Sequence, residues 1–249
     1  MEKNIRSDSL RKINDYLYTL KPNKMKNLTK IAFAFLLLSG VIMNAQALKK
    51  GSVTYKLVLT GNDEAAAMMG ESTLTIHFDE KTQATEMNMM SGMMLMKTIT
   101  PIGNIKETKM AVEVMGMKYE IIEAGEEALN STKGIGNLED AAEVTYDKKN
   151  IKEIAGFSCY KATVKMNDGS TNAFYITEAI APQTPIKETK IKLAGYPLEI
   201  ITSTPQGEMT MTATSFAKEL PKDCFVITGE GYTKVTMEEF KQQMSGGGM

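Results

Sequence analysis

Gly51-Ser52-Val53-Thr54-Tyr55-Lys56-Leu57-Val58-Leu59-Thr60 decides the fold class. Val53, Tyr55, Leu57 and Leu59 alternate with Thr54, Lys56 and Thr60, and a period of two is the mark of a strand with one face buried. Leu74, Ile76 and Phe78 repeat the pattern against Thr73, Thr75 and His77. Further strands are expected over 84–90, 93–100, 109–115, 117–122, 143–147, 158–166, 172–177, 187–193, 198–203 and 208–213. Asp79-Glu80-Lys81, Ser91-Gly92, Pro101-Ile102-Gly103-Asn104, Asn167-Asp168-Gly169 and Pro205-Gln206-Gly207 separate them as turns. A dozen short strands predict a mainly β protein, a curved antiparallel sheet or half-barrel with a few packing helices.

Helical signal falls in three places: Asp63 to Gly70, a Gly-interrupted stretch from Glu123 to Ala142, and Thr236 to Met244. In the last, Thr236 and Glu239 form a capping box, and Met237, Phe240 and Met244 share one face that predicts docking on the sheet.

The chain has 249 residues and 43% hydrophobic composition, enough for one globular domain. Residues 1–47 read as a leader. Met25 opens a second start, Lys26 and Lys30 supply a positive region, Ile31 to Met43 is apolar, and Ala45-Gln46-Ala47 is a cleavage pattern. That apolar run is shorter than a membrane span requires, so the expectation is an exported, periplasmic or secreted protein with no membrane span. Residues 48–244 are then one domain and 245–249 a flexible tail. Removing residues 1–47 leaves 21 Lys and Arg against 27 Asp and Glu, a net charge of −6 that disfavours nucleic acid as a partner.

Cys159 and Cys224 both follow the leader. In an oxidising compartment they form a disulfide candidate, with two free buried thiols as the alternative. There is no metal motif, no nucleophile elbow and no dinucleotide fingerprint, and Gly134-Ile135-Gly136 lacks a third glycine. His77 is the single histidine, and alternation puts it opposite Leu74, Ile76 and Phe78, where a solvated side chain is expected. No catalytic residue, metal site or cofactor is assigned, and the reading is non-enzymatic.

Seventeen of the twenty methionines follow the leader, and Met87/Met89, Met94/Met96, Met115/Met117 and Met209/Met211 form four Met-x-Met pairs. In a strand each pair presents two thioethers to one face, although Gly116 places the third pair at a possible turn. These eight are the candidate ligand-binding residues. Three readings stand: plain core filling, a soft wall for a hydrophobic small molecule or lipid, and Cu(I) ligation by thioether sulfur. The carrier of a hydrophobic ligand is the first choice; a Met-rich periplasmic Cu(I)-handling protein, or an envelope structural or interaction protein, is the alternative. The sequence names no protein partner.

Lys152-Glu153-Ile154-Ala155-Gly156-Phe157-Ser158-Cys159-Tyr160-Lys161-Ala162-Thr163-Val164, then Phe174-Tyr175-Ile176-Thr177-Glu178 and Tyr196-Pro197-Leu198-Glu199-Ile200, resemble exported bacterial proteins of the domain-of-unknown-function family 4412. GLPGLI-type proteins share the order. The opening Gly51-Ser52-Val53-Thr54-Tyr55, and Phe225-Val226-Ile227 with Gly231-Tyr232, are similar too, while Leu193-Ala194-Gly195-Tyr196-Pro197-Leu198 departs from the GLPGLI signature. The resemblance implies a curved antiparallel sheet closed by helices, akin to periplasmic lipoprotein carriers, with no established activity.

Overall fold

The computed structural model describes residues 46–125, 138, 140–182, 191–227 and 231–246. Residues 1–45 of the expected leader, the Glu123–Ala142 helical stretch between 126 and 137, and residues 187–190 of one expected strand lie outside the described residues.

Among the described residues, twelve strands form one sheet: β1 (Gly51–Thr60), β2 (Ser72–Phe78), β3 (Thr82–Met89), β4 (Met94–Pro101), β5 (Lys109–Val114), β6 (Met117–Ile121), β7 (Ala141–Ile154), β8 (Phe157–Met166), β9 (Thr171–Thr177), β10 (Tyr196–Thr204), β11 (Gly207–Ala217) and β12 (Thr233–Val235). Their spatial order is β12-β6-β5-β4-β3-β2-β1-β11-β10-β9-β8-β7. Consecutive strands pair antiparallel within β1–β6 and within β7–β11, and β11 closes back on β1 to join the two halves. The sheet is mixed rather than wholly antiparallel, because β12 runs parallel to β6.

Two-residue turns set the tightest hairpins. Met115-Gly116 and Ala155-Gly156 all have φ between +50° and +84°, the left-handed pair that matches strand twist. Met115 and Met117 therefore bracket a turn and do not share a strand face as Met-x-Met alternation requires.

The sheet is strongly curved. Flat neighbouring strands lie about 4.8 Å apart, so strands three places apart would be separated by roughly 14 Å. Yet Phe78 on β2 stacks on Tyr196 of β10 with ring centroids 5.4 Å apart, and Phe157 on β8 meets Phe216 of β11 edge-on at 5.1 Å. Tyr55 Oη also donates to the Pro197 carbonyl at 2.8 Å. Val53, Tyr55, Leu57, Leu74 and Phe78 thus face inward onto a main core shared with Ala162, Val164, Phe174, Leu198, Ile200 and Met211. Apolar burial of this kind contributes about 25 cal/mol per Å² and is the main force holding the curl.

A second, smaller core comprises Met110, Val112, Val114, Tyr119, Ile121, Ala124 and Val235. Met237, Phe240 and Met244 of the C-terminal helix α2 (Met237–Gly246) cover it, as their spacing predicts, and Phe240 meets Tyr119 edge-on at 5.4 Å. The capping box is formed: the Glu239 amide donates to Thr236 Oγ1 at 3.1 Å, and the Thr236 amide donates to Glu239 Oε2 at 2.7 Å. The helix continues to Gly246, two residues into the stretch expected as a flexible tail, and Ser245 Oγ donates to the Lys241 carbonyl. The short helix α1 (Asp63–Met69) links β1 to β2, capped by Asn62 Oδ1 accepting from the Ala65 amide.

Candidate functional site

The register fixes which methionines meet. Tyr55, Leu74, Met87, Met96, Val112 and Tyr119 form one cross-strand row from β1 to β6, all on the inner face. One row further along, Met89 opposes Met94, Met94 opposes Val114, and Val114 opposes Met117. Met87, Met89, Met94 and Met96 therefore occupy four adjacent inner-face positions of the β3–β4 hairpin. Directly opposed Cβ atoms in such pairs are about 5 Å apart, within mutual reach of the side chains.

Their packing differs. Met87 belongs to the main core, Met89 packs against that core, Met94 packs against the smaller one, and Met96 touches both. Met89, Met94 and Met96 stay half-buried. They form a thioether seam where the two cores meet. Met211, 3% exposed, opposes both Leu57 and Ile200 and is ordinary core, while half-buried Met209 packs beside it. Met115 and Met117 are 62% and 50% exposed at the β5–β6 turn, so they stand outside the seam; Met117 Sδ accepts from Tyr119 Oη at 3.5 Å. Of eight residues proposed from sequence, the structure brings four together, places two in or against the adjacent core, and leaves two at a hairpin tip.

The opposite, outer face is polar and is crossed by the chain after β11. Beyond Ala217 the described residues 218–227 and 231–232 lie between the end of β11 at the centre of the sheet and the far edge, where Thr233 to Val235 pair with β6. On the way, the Asp223 carbonyl accepts from Lys97 Nζ at 3.1 Å, and Lys118 Nζ lies 5.8 Å from the Tyr232 ring. After β12 the chain turns over the edge, so that α2 docks on the inner face. The C-terminal segment is a clasp around the β6 edge.

His77 is not solvated, and its polar contacts lead across the sheet to the clasp. Alternation places it correctly, on the outer face opposite Phe78, but His77 is 4% exposed there. Its Nδ1 is hydrogen-bonded to Ser52 Oγ, and its Nε2 lies 3.7 Å from Glu86 Oε2. Glu86 Oε1 accepts from Lys97 at 2.8 Å, so Ser52, His77, Glu86, Lys97 and the Asp223 carbonyl form one chain of polar contacts from sheet to clasp. The His77 ring, followed by the Lys97 ammonium, holds the Glu86 carboxyl down to about 2 against the opposing pull of burial. Serine, histidine and glutamate also compose hydrolytic triads; here Ser52 is buried at 8% exposure.

A groove of about 400 Å³ lies on the outer face, lined by Thr73, Thr75, Glu86, Asn88, Leu95, Lys97, Glu113 and Tyr232, with Met87, Met96 and Ala111 contributing from its floor strands. Its lining is mixed, with the Glu86, Lys97 and Glu113 charges set beside Leu95 and Tyr232.

The cysteines are free thiols, so the candidate bridge is not formed. Cys159 is buried in the main core and feels the Glu199 carboxylate; Cys224, itself part of the clasp, is buried near Lys97, Glu86 and Asp79. Burial pushes the Cys159 thiol up to about 11 and raises Cys224 as well. Among the described residues, no group of three His, Cys, Asp or Glu side chains could hold a metal ion, and no helix is long and apolar enough to cross a membrane.

One residue that the sequence reading passed over stands out on the inner face. Thr98 follows Met96 by two along β4, is buried, and its Oγ1 has no hydrogen-bond partner among the described residues.

No family model matches the chain, so membership of family 4412, which the sequence resembles, is not shown. No curated protein matches it either. Among solved structures, the lipoprotein LppX of Mycobacterium tuberculosis is similar at 10% identity and a TM-score of 0.37, over 68% of this chain and 88% of that one. MucB, in its complex with MucA from Pseudomonas aeruginosa, is similar at 11% identity and 0.35, over 75% of this chain and 58% of that one. LprF from Mycobacterium bovis is similar at 12% identity and 0.31, over 69% and 88%. Likeness at these TM-scores carries no argument about function, which has to come from the geometry of the chain itself.

Proposed function

We propose that this is an exported, non-enzymatic carrier or binding protein for a hydrophobic ligand, taken up along the methionine seam of the inner face. The observation that carries the reading is the position of Met96: half-buried, it touches both hydrophobic cores and belongs wholly to neither. Unbranched thioether side chains adapt their shape at little energetic cost. An apolar ligand at this place enters by displacing Met89, Met94 and Met96 while the aromatic and branched residues of each core stay in place. A non-catalytic role agrees with the sole histidine being buried and held by Ser52.

The opposition of Met87 to Met96 and of Met89 to Met94 also sets four sulfurs on one face, a specific reason to keep Cu(I) as the second reading. One experiment separates the two. Wild type and the variant with Leu at positions 87, 89, 94 and 96 are titrated with a fluorescent fatty-acyl probe and, under reducing conditions, with Cu(I). Leu preserves volume and apolarity, so a carrier keeps the probe; a copper protein folds but loses the ion. Absence of probe binding in wild type ends the carrier reading.

A further inference from the structure

We infer that the inner-face ligand is a neutral acyl compound, an ester- or amide-linked chain, whose carbonyl oxygen accepts a hydrogen bond from Thr98 Oγ1 while its tail runs along Met96 and Met94. The inference rests on the carrier reading and names the chemistry of the ligand.

Buried hydroxyls in folded proteins are nearly always hydrogen-bonded, and one without a partner calls for an explanation. Thr98 is 6% exposed and its Oγ1 is unpartnered among the described residues. Two other buried threonines nearby show the contrast, since Thr108 Oγ1 donates to Thr100 Oγ1 at 3.4 Å. Thr98 opposes Thr85 on one side and Met110 on the other. A valine would occupy the same volume and leave no orphaned oxygen.

Along β4 the inner-face positions run Met94, Met96, Thr98, Thr100, a track about 20 Å long at the usual rise per residue. One end is soft and apolar; the other carries hydroxyls. A linear amphiphile laid on this track places its chain over the thioethers and its polar atom at Thr98. The cross-strand neighbours Ile76, Thr85, Met110 and Ile121 supply no positive charge. A carboxylate buried there would lose its hydration with no counter-ion in return, whereas an ester or amide carbonyl needs only the one donor that Thr98 offers.

Wild type, Thr98→Val and Thr98→Ser are titrated at pH 7 with a fluorescent long-chain methyl ester, the matching free acid and the matching hydrocarbon, alongside their unfolding midpoints. Wild type is expected to bind the ester more tightly than the ionised acid. Thr98→Val should weaken ester binding about three- to tenfold, leave hydrocarbon binding unchanged, and fold at least as stably as wild type; Thr98→Ser should retain the ester preference. Equal ester affinity in wild type and Thr98→Val, or tighter binding of the acid than of the ester, overturns the inference while leaving the carrier intact. If none of the three probes binds wild type, the carrier reading fails and the inference falls with it.

Discussion

His77 Nε2 lies 3.7 Å from Glu86 Oε2 on the outer face, and this contact links a buried ring fixed by Ser52 to a carboxylate that also holds Lys97 under the clasp. Removing the ring leaves the Ser52 hydroxyl and one side of Glu86 without a partner. His77→Ala should therefore destabilise the protein by about 1–3 kcal/mol, the usual cost of orphaning buried polar groups. Urea unfolding measures it, and a change within about 0.5 kcal/mol, as at an ordinary surface site, would refute the polar chain.

Acid titration tests the same chain from the other end. The Glu86 carboxyl sits at about 2 in the folded protein, below the ordinary glutamate value near 4.5. A depressed carboxylate contributes stability that is present in full above the unfolded value and is lost as pH falls through the folded one. Wild type should lose this contribution between about pH 4.5 and pH 2. Glu86→Gln should show a flatter stability profile across that window, measured by thermal melts at each pH.

Met115 is held at φ +50° in the β5–β6 turn with its side chain 62% exposed. A left-handed backbone disfavours any residue with a bulky side chain, while Asn tolerates it. Met115→Asn should stabilise the fold by about 0.5–1 kcal/mol. Met211→Ala, in the closed core, should cost about 2–5 kcal/mol. Chemical denaturation of both variants would show opposite signs; loss of stability in each would mean that the hairpin tip is packed.

The α2 cap offers a local test of the clasp. Thr236→Ala removes the acceptor for the Glu239 amide and should cost about 1 kcal/mol. Hydrogen exchange should rise first in α2, because a frayed first turn loosens Phe240 from Tyr119.

Both thiols should resist modification in the native state and react after unfolding. Alkylation followed by intact-mass measurement should count two free thiols in denaturant; a count of zero would establish a bridge.

Much of the fold is legible in the sequence, because local rules govern local elements. Alternation from Val53 to Leu59 and from Leu74 to Phe78 names β1 and β2 together with their inner faces, and the Thr236/Glu239 spacing names α2 and its cap. What alternation cannot say is whether a polar face stays open. His77 is assigned to the right face and the wrong environment, since its burial and its contacts with Ser52 and Glu86 depend on tertiary neighbours that alternation does not encode. Strand β7 continues through Lys148 to Ile154 although that stretch shows little apolar alternation, because pairing with β8 through the Ala155-Gly156 turn carries it on. The seam is half legible: adjacency of Met87 and Met96 requires the hairpin register, and the isolation of Thr98 requires knowing every neighbour.

The clasp also dictates an order of events. Strand β12 meets β6 more than one hundred residues after β6 has been made, so one edge of the sheet stays unpaired until the chain is almost complete. Distant contacts of this kind slow folding, because loop closure comes before the reward of pairing. An unfinished chain exposes the β6 edge and the apolar side of Tyr119, the conditions under which partly folded molecules associate edge to edge. Loss of residues 233–249, which removes β12 together with α2, is consequently expected to lower refolding yield far more than the small size of α2 suggests.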